Sequence, residues 1–157
     1  MAEDGVWRDD GYCVVCGPDN ASGMHLHFEH SAEGARAHGE VPAHLQGYAG
    51  TAHGGIVSAI LDEAMYYAVA AQGMPGVATG ELMVRYRAPL RTATPFTVEA
   101  ACERRTRRFA KARSRIVAEG QVVAEAEGLF LPVKAEFRAD DARRRSVAAK
   151  EGNHEDA

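Results

Sequence analysis

The chain has 157 residues, 46% hydrophobic and 25% charged, which allows one globular core and excludes wholesale disorder. Its 22 acidic residues against 18 Lys plus Arg leave a formal net charge of -4, which argues against nucleic acid as the main partner. No apolar run approaches the roughly 20 residues that span a bilayer, and Met1 to Trp7 lacks the basic-then-apolar order of a secretory signal, so a cytoplasmic protein is expected.

Cys13, Cys16 and Cys102 are an odd number, so reduced thiols are the simpler expectation. Cys13 and Cys16 form a C-x-x-C, with His25 and His27 close behind. That spacing is irregular for a small zinc module. A redox C-x-x-C would open a helix after a strand, whereas Gly17-Pro18-Asp19-Asn20 reads as a turn. No metal or redox cofactor is expected.

In chain order, residues 1–23 read as an irregular segment. Met24 to Glu29 alternates with period two, as a half-buried strand does. Ser31 to Gly34 make a turn, Ala35 to Val41 supply an antiparallel partner, and Pro42 ends it. A glycine-rich loop then leads to His53-Gly54-Gly55. Ile56 to about Gln72 is the one long helix, apolar on nearly every face and stopped by Gly73. Four strands follow: Val77–Ala88, Phe96–Arg104, Phe109–Ala118 and Val122–Val133, with Glu119-Gly120 as a tight hairpin turn. Past Lys134 the pattern dissolves into a tail, 135–157, in which Ala135 to Lys150 can form a short helix and the last residues are expected to be mobile.

One domain over residues 24–134 is expected. Sequential antiparallel strands with a single helix make an α+β arrangement rather than βαβ crossovers, with a sheet curled round the helix. Such a sheet leaves an edge open, which invites pairing with a second copy.

Two features carry chemistry. Gly54 and Gly55 leave a helix N-terminus bare of side chains, with unpaired N–H groups and the helix dipole behind them, which suits a developing oxyanion. A loop that merely needs glycine conformations is the competing reading. Asp62 and Glu63 are acids within an apolar helix, about 100° apart round its axis, so only one faces a given cavity. Either can act as the base, or pair with an arginine. Gly54 and Asp62 lie about 12 Å apart along the helix, too far to act on one carbonyl. If both act, each site combines Gly54 of one subunit with Asp62 of another, as two helices crossing at a twofold axis would arrange.

Arg104, Arg105, Arg107, Arg108, Lys111, Arg113 and Arg115 form a dense basic run, with Lys111, Arg113 and Arg115 on one strand face. The run is either a solvated hairpin offset by acids or a phosphate-binding stripe.

The stretch His53-Gly54-Gly55-Ile56-Val57-Ser58-Ala59-Ile60-Leu61-Asp62 resembles the hotdog-fold thioesterases, in particular those of phenylacetic-acid degradation and the human thioesterase superfamily members. Cys16-Gly17-x-x-Asn20-x-x-Gly23-Met24 and Thr79 through Tyr86 to Pro89 resemble further family segments, in the same order. The resemblance implies a hotdog fold and hydrolysis of acyl-CoA thioesters without a cofactor, at sites on a homodimer interface. A dimer and a tetramer both stay open. It assigns Asp62 as the base over its rival Glu63, the Gly54 N–H as carbonyl donor beside Gly55, His53 as a supporting residue and Thr79 as a holder of the attacking water. Relatives also hold the nucleotide end of coenzyme A on such strands, which implies phosphate contacts among Arg105, Arg107, Arg108, Lys111, Arg113 and Arg115. Where some relatives carry Asn or Gln six residues before the His, this chain has Gly47, with Gln46 beside it. The alternatives are an acyl-CoA-binding hotdog protein without turnover, and a hotdog hydratase or dehydratase, whose His-and-acid motif is absent. Met65, Tyr66, Tyr67 and Met83 are candidate acyl-pocket residues or ordinary core.

Overall fold

The computed structural model describes residues 11–133, so the segment before Gly11 and the tail expected over 135–157 lie outside the described residues. Six strands and one long helix make up the domain: β1 (Phe28–Ser31), β2 (Gly34–Gly39), α1 (Gly54–Ala71), β3 (Val77–Tyr86), β4 (Phe96–Arg105), β5 (Ala110–Ala118) and β6 (Gln121–Pro132). All pair antiparallel in one sheet ordered β1-β2-β4-β5-β6-β3. This is the α+β hotdog architecture, a sheet wrapped round a central helix.

Alternating burial fixes which face of each strand meets the helix. In β5, Ala110, Ala112, Ser114 and Ile116 are buried while Lys111, Arg113 and Arg115 point the other way. On α1 the buried residues Val57, Ile60, Leu61, Ala64, Met65, Ala68 and Val69 fall at helical spacing. From Ile56 to Ala71 no helix residue is exposed. The all-round apolar pattern thus reports wrapping by the sheet on one side and cover by loops on the other. The helix ends at Gly73, φ +77°, where the Arg105 guanidinium donates to the Gly73 carbonyl.

Three expectations need correction. Met24 to His27 alternates between buried and exposed but lies outside the ladder. The Met24 and Leu26 N–H groups donate instead to the Val14 and Val15 carbonyls of the preceding segment. Pro42 is followed by a single 3-10 turn, Ala43–Leu45, at the start of the expected glycine-rich loop. Finally, β3 does not lie beside β4. The antiparallel chain β2-β4-β5-β6-β3 makes β2 and β3 run in the same sense with three strands between them, so α1 is a long crossover beneath the sheet. This puts the ten-residue β3 on an open edge.

A bulge shapes that edge. The β3–β6 register slips between Thr79 and Glu81, and an extra residue in a strand reverses which side chains face inward. Val77 and Thr79 face α1 before the slip; Val84 and Tyr86, of opposite parity, face it afterwards. The turn between β5 and β6 is the Glu119-Gly120 pair, both at positive φ (49° and 77°), as a tight hairpin of right-handed twist requires.

Candidate active site

The start of α1 leaves one donor unused. His53 is the N-cap, and its ring Nδ1 accepts the Gly55 N–H at 2.9 Å, which fixes the outer Nε2 as the protonated nitrogen while that bond stands. The Ile56 and Val57 N–H groups both donate to the His53 carbonyl. Among the described residues, the Gly54 N–H alone of these first-turn donors has no acceptor. The two glycines therefore differ. Neither has positive φ, so loop conformation explains neither. A Cβ on Gly55 would press on His53 Nδ1 at 3.1 Å, so that glycine makes room for the cap. The nearest atoms to a Cβ on Gly54 would be the hydroxyl and ring of Tyr86, at ordinary distances of 3.5–3.7 Å. Its bareness suits close approach to the free N–H.

Sequence reasoning misses Tyr86 as a site residue. Its hydroxyl lies 2.8 Å from the Gly54 carbonyl and 2.7 Å from Ser58 Oγ, which is itself 3.0 Å from that carbonyl. Two hydroxyl protons serve three contacts, so two bonds form at a time. Either way β3 is latched to the helix start. The signal in the sequence is the Tyr86-x-x-Pro89 pattern at the end of a strand.

One strand-length away, Thr79 Oγ donates to Asp62 Oδ1 at 2.7 Å. The bulge is what turns Thr79 inward for this. Burial pushes the Asp62 carboxyl above its ordinary value, and the Thr79 bond partly opposes that rise. Among the described residues no cation pairs with Asp62, so the arginine-pair alternative is not what holds it. Glu63 is half-buried on another side of α1, where its Oε1 accepts the Cys16 thiol at 3.1 Å. A thiol is thus one partner of this acid, for which the sequence suggests an arginine. Hydrogen bonding to Cys13, then burial, then the Glu63 charge hold the Cys16 thiol well above the usual cysteine range. Gln46 is committed to its own loop, its Oε1 accepting the Gly50 N–H at 3.0 Å.

The candidate pocket residues do not form one wall. Met65 is fully buried core, and Tyr67 stacks on Phe28 at 4.7 Å between ring centroids. Met83 lies on the outer sheet face, where Arg85 reaches its sulfur. The basic run divides similarly. Arg113 pairs with Glu103 at 3.2 Å, Arg115 with Glu99 at 2.9 Å beside Arg36, and Arg105 caps α1. Arg107, Arg108 and Lys111 are exposed and pair with no acid among the described residues. No helix of the described residues is long and apolar enough to cross a membrane.

The family model described as "Thioesterase superfamily" matches residues 49–125, from the loop before His53 into β6. Among solved structures the chain is similar to a thioesterase superfamily protein at 30% identity and TM-score 0.71, covering 76% of this chain and 60% of that one. It is similar to the phenylacetic acid degradation protein PaaI from Thermus thermophilus, in mutant form, at 31% identity and TM-score 0.62, over 69% of this chain and 93% of that one. The E. coli PaaI protein shares the fold at 20% identity and TM-score 0.62, over 68% and 82%. The comparison with curated proteins returns no match.

Proposed function

Since this chain belongs to the hotdog-fold thioesterase superfamily, we propose that it hydrolyses acyl-CoA thioesters to the free acid and coenzyme A. The observation that carries this reading is the pair of complementary, half-finished sites on one helix: among the described residues, a donor without an acceptor at Gly54, and a raised carboxyl without a cation at Asp62. The Thr79 hydroxyl donates a hydrogen bond to one oxygen of the ionised Asp62 and keeps lone pairs for a water. That water loses a proton to Asp62 as it attacks the thioester carbonyl. The Gly54 N–H stabilises the oxyanion, and the helix dipole adds to it. Collapse of the tetrahedral adduct breaks the C–S bond, and the coenzyme A thiolate takes the proton from Asp62.

Because Gly54 and Asp62 of one chain are about 12 Å apart, a complete site takes one from each of two chains. The open edge of β3 supports such a dimer. It presents unpaired backbone together with Leu82, Met83 and Tyr86, each between 36% and 55% exposed. Arg107, Arg108 and Lys111, which meet no acid among the described residues, are the phosphate contacts this reading favours. Their replacement by Ala should weaken use of a CoA thioester far more than of the matching pantetheine thioester.

A thiol-release assay over short, long and aromatic acyl-CoAs, run beside sedimentation of the same sample, tests the reading. Turnover by a dimer or larger assembly is expected. Binding without turnover across the panel would replace hydrolysis with acyl-CoA binding. A fully active monomer would remove the shared site.

A further inference from the structure

The C-x-x-C of the N-terminal segment takes no part in the chemistry above, yet the fold brings it to the central helix. Cys13 Sγ, Cys16 Sγ and a Glu63 carboxylate oxygen all lie within 4.8 Å of one another, on elements 47 residues apart in sequence. All three residues are half-buried. The Tyr67 hydroxyl, one turn along α1 from Glu63, also bonds to Cys16.

The turn that carries the thiols is rigidly specified. The Gly17 N–H donates to the Cys13 carbonyl at 2.9 Å, and the Val15 N–H points at Cys13 Sγ at 3.4 Å. A Cβ on Gly17 would fall 2.4 Å from the Cys13 nitrogen and 2.5 Å from the Gly11 carbonyl oxygen, so only glycine closes this turn. Backbone N–H groups aimed at sulfur are the donors a thiolate needs to shed part of its charge. Val15 is fully buried, and the Met24 and Leu26 N–H groups tie the segment down at Val14 and Val15. The two sulfurs are thus presented by fixed backbone.

We propose that Cys13, Cys16 and Glu63 bind one Zn²⁺ ion, with a water in the fourth position. Two thiolates and a carboxylate are a donor set for zinc and too soft for Mg²⁺ or Ca²⁺. A Zn–S bond of about 2.3 Å and a Zn–O bond of about 2.0 Å at a tetrahedral angle set sulfur and oxygen about 3.5 Å apart. The Cys16 to Glu63 separation of 3.1 Å reaches that value with a small outward shift. On binding, both thiols release their protons and Glu63 exchanges the thiol hydrogen bond for the metal. The ion would staple residues 11–27 to α1 one residue from Asp62. This ligand set is not the one suggested by sequence spacing. His25 Nε2 lies 2.6 Å from the Asn20 carbonyl, and neither His25 nor His27 joins the cluster.

The test uses the full chain, metal-stripped and kept reduced with a phosphine, titrated with Zn²⁺ against a chromophoric chelator and separately with Co²⁺. Expected are one zinc per chain with Kd below about 1 μM, a higher Tm with zinc, and a Co²⁺ spectrum with thiolate charge-transfer bands. Cys16→Ser should abolish the bands, and Glu63→Gln should weaken zinc at least about tenfold, equivalent to about 1.4 kcal/mol. His25→Asn and His27→Asn should leave both unchanged. Absence of the charge-transfer bands from the parent overturns the proposal even if Cys16→Ser fails to fold. So does zinc affinity that survives Glu63→Gln or is lost with either histidine.

Discussion

Asp62 and Glu63 are neighbours on one helix and both are carboxylates, yet they face different parts of the molecule. Asp62 looks toward β3, an edge strand, where one hydroxyl meets it and, among the described residues, nothing of opposite charge does. Glu63 looks toward the N-terminal segment and meets a thiol held by a rigid turn. The 100° between them decides the chemistry open to each. An acid beneath an open edge can still receive a substrate and a second chain. An acid beneath a folded-over segment is already part of an internal cluster. Local composition distinguishes the two poorly; the element lying over each angle of the helix distinguishes them well.

The largest expected effect tests this contrast directly. Asp62→Asn keeps the size and the acceptor for Thr79 but removes the base, so turnover should fall about 10²- to 10⁴-fold, roughly 3 to 5 kcal/mol of barrier. Glu63→Gln should cost less than about tenfold, because its site neither binds nor releases the water's proton. Thiol release by the two variants at matched concentration and assembly state reads both. The reverse ranking would exchange the roles of the two acids.

Gly54→Ala comes next. The added methyl's nearest neighbours are the Tyr86 hydroxyl and ring at ordinary distances, so fold and assembly should be unchanged. An oxyanion donor is worth about 10²- to 10³-fold, and crowding its approach should forfeit part of that. Turnover at full thermal stability should drop while Tm stays put. A fall in Tm with normal turnover would return Gly54 to a structural role. Tyr86→Phe is milder. It removes one hydroxyl from the latch between β3 and the helix start, a loss of about 0.5–1.5 kcal/mol in stability, measured by urea unfolding.

Much of this arrangement can be read from the residues, and the rest fails for identifiable reasons. The helix is bounded by Gly54-Gly55 and Gly73, and its acids break an apolar surface, so both ends and the candidate site are visible. The Glu119-Gly120 turn is visible because few pairs tolerate two positive φ angles. The edge position of β3 is not visible, since alternation records which face is buried and never which strand lies alongside. Met24 to His27 shows the same limit: alternating burial without a ladder partner. The bulge at Gly80 hides the shared inward direction of Thr79 and Tyr86, whose spacing of seven would otherwise place them on opposite faces. The contact from Cys16 to Glu63 is a tertiary accident of the segment's path, with no periodic signal to announce it.

The smallest effect separates two acids by the sign of their pH dependence. Asp62 has a raised folded-state pKa because burial penalises its charge. Between its unfolded and folded values the native state binds more protons, so its contribution to stability declines as pH rises through that window and then levels off. Asp62→Asn lacks this penalty. It should melt at or above the parent's Tm at neutral pH and converge with it as the medium is acidified below the ordinary carboxylate range. Glu99 runs the other way. Hydrogen bonds from Arg115 and then Arg36 hold its carboxyl below the usual value, so its stabilisation is present above the unfolded pKa and is lost as pH falls through the folded one. Glu99→Gln should therefore lower Tm at neutral pH, by the equivalent of at most about 1 kcal/mol for a surface cluster, and the deficit should vanish in acid. Thermal melts of both variants from neutral pH down into the acid range read the two signs together. An Asp62→Asn variant less stable than its parent at neutral pH would mean that Asp62 meets a cation after all, supplied from outside the described residues or by a second chain.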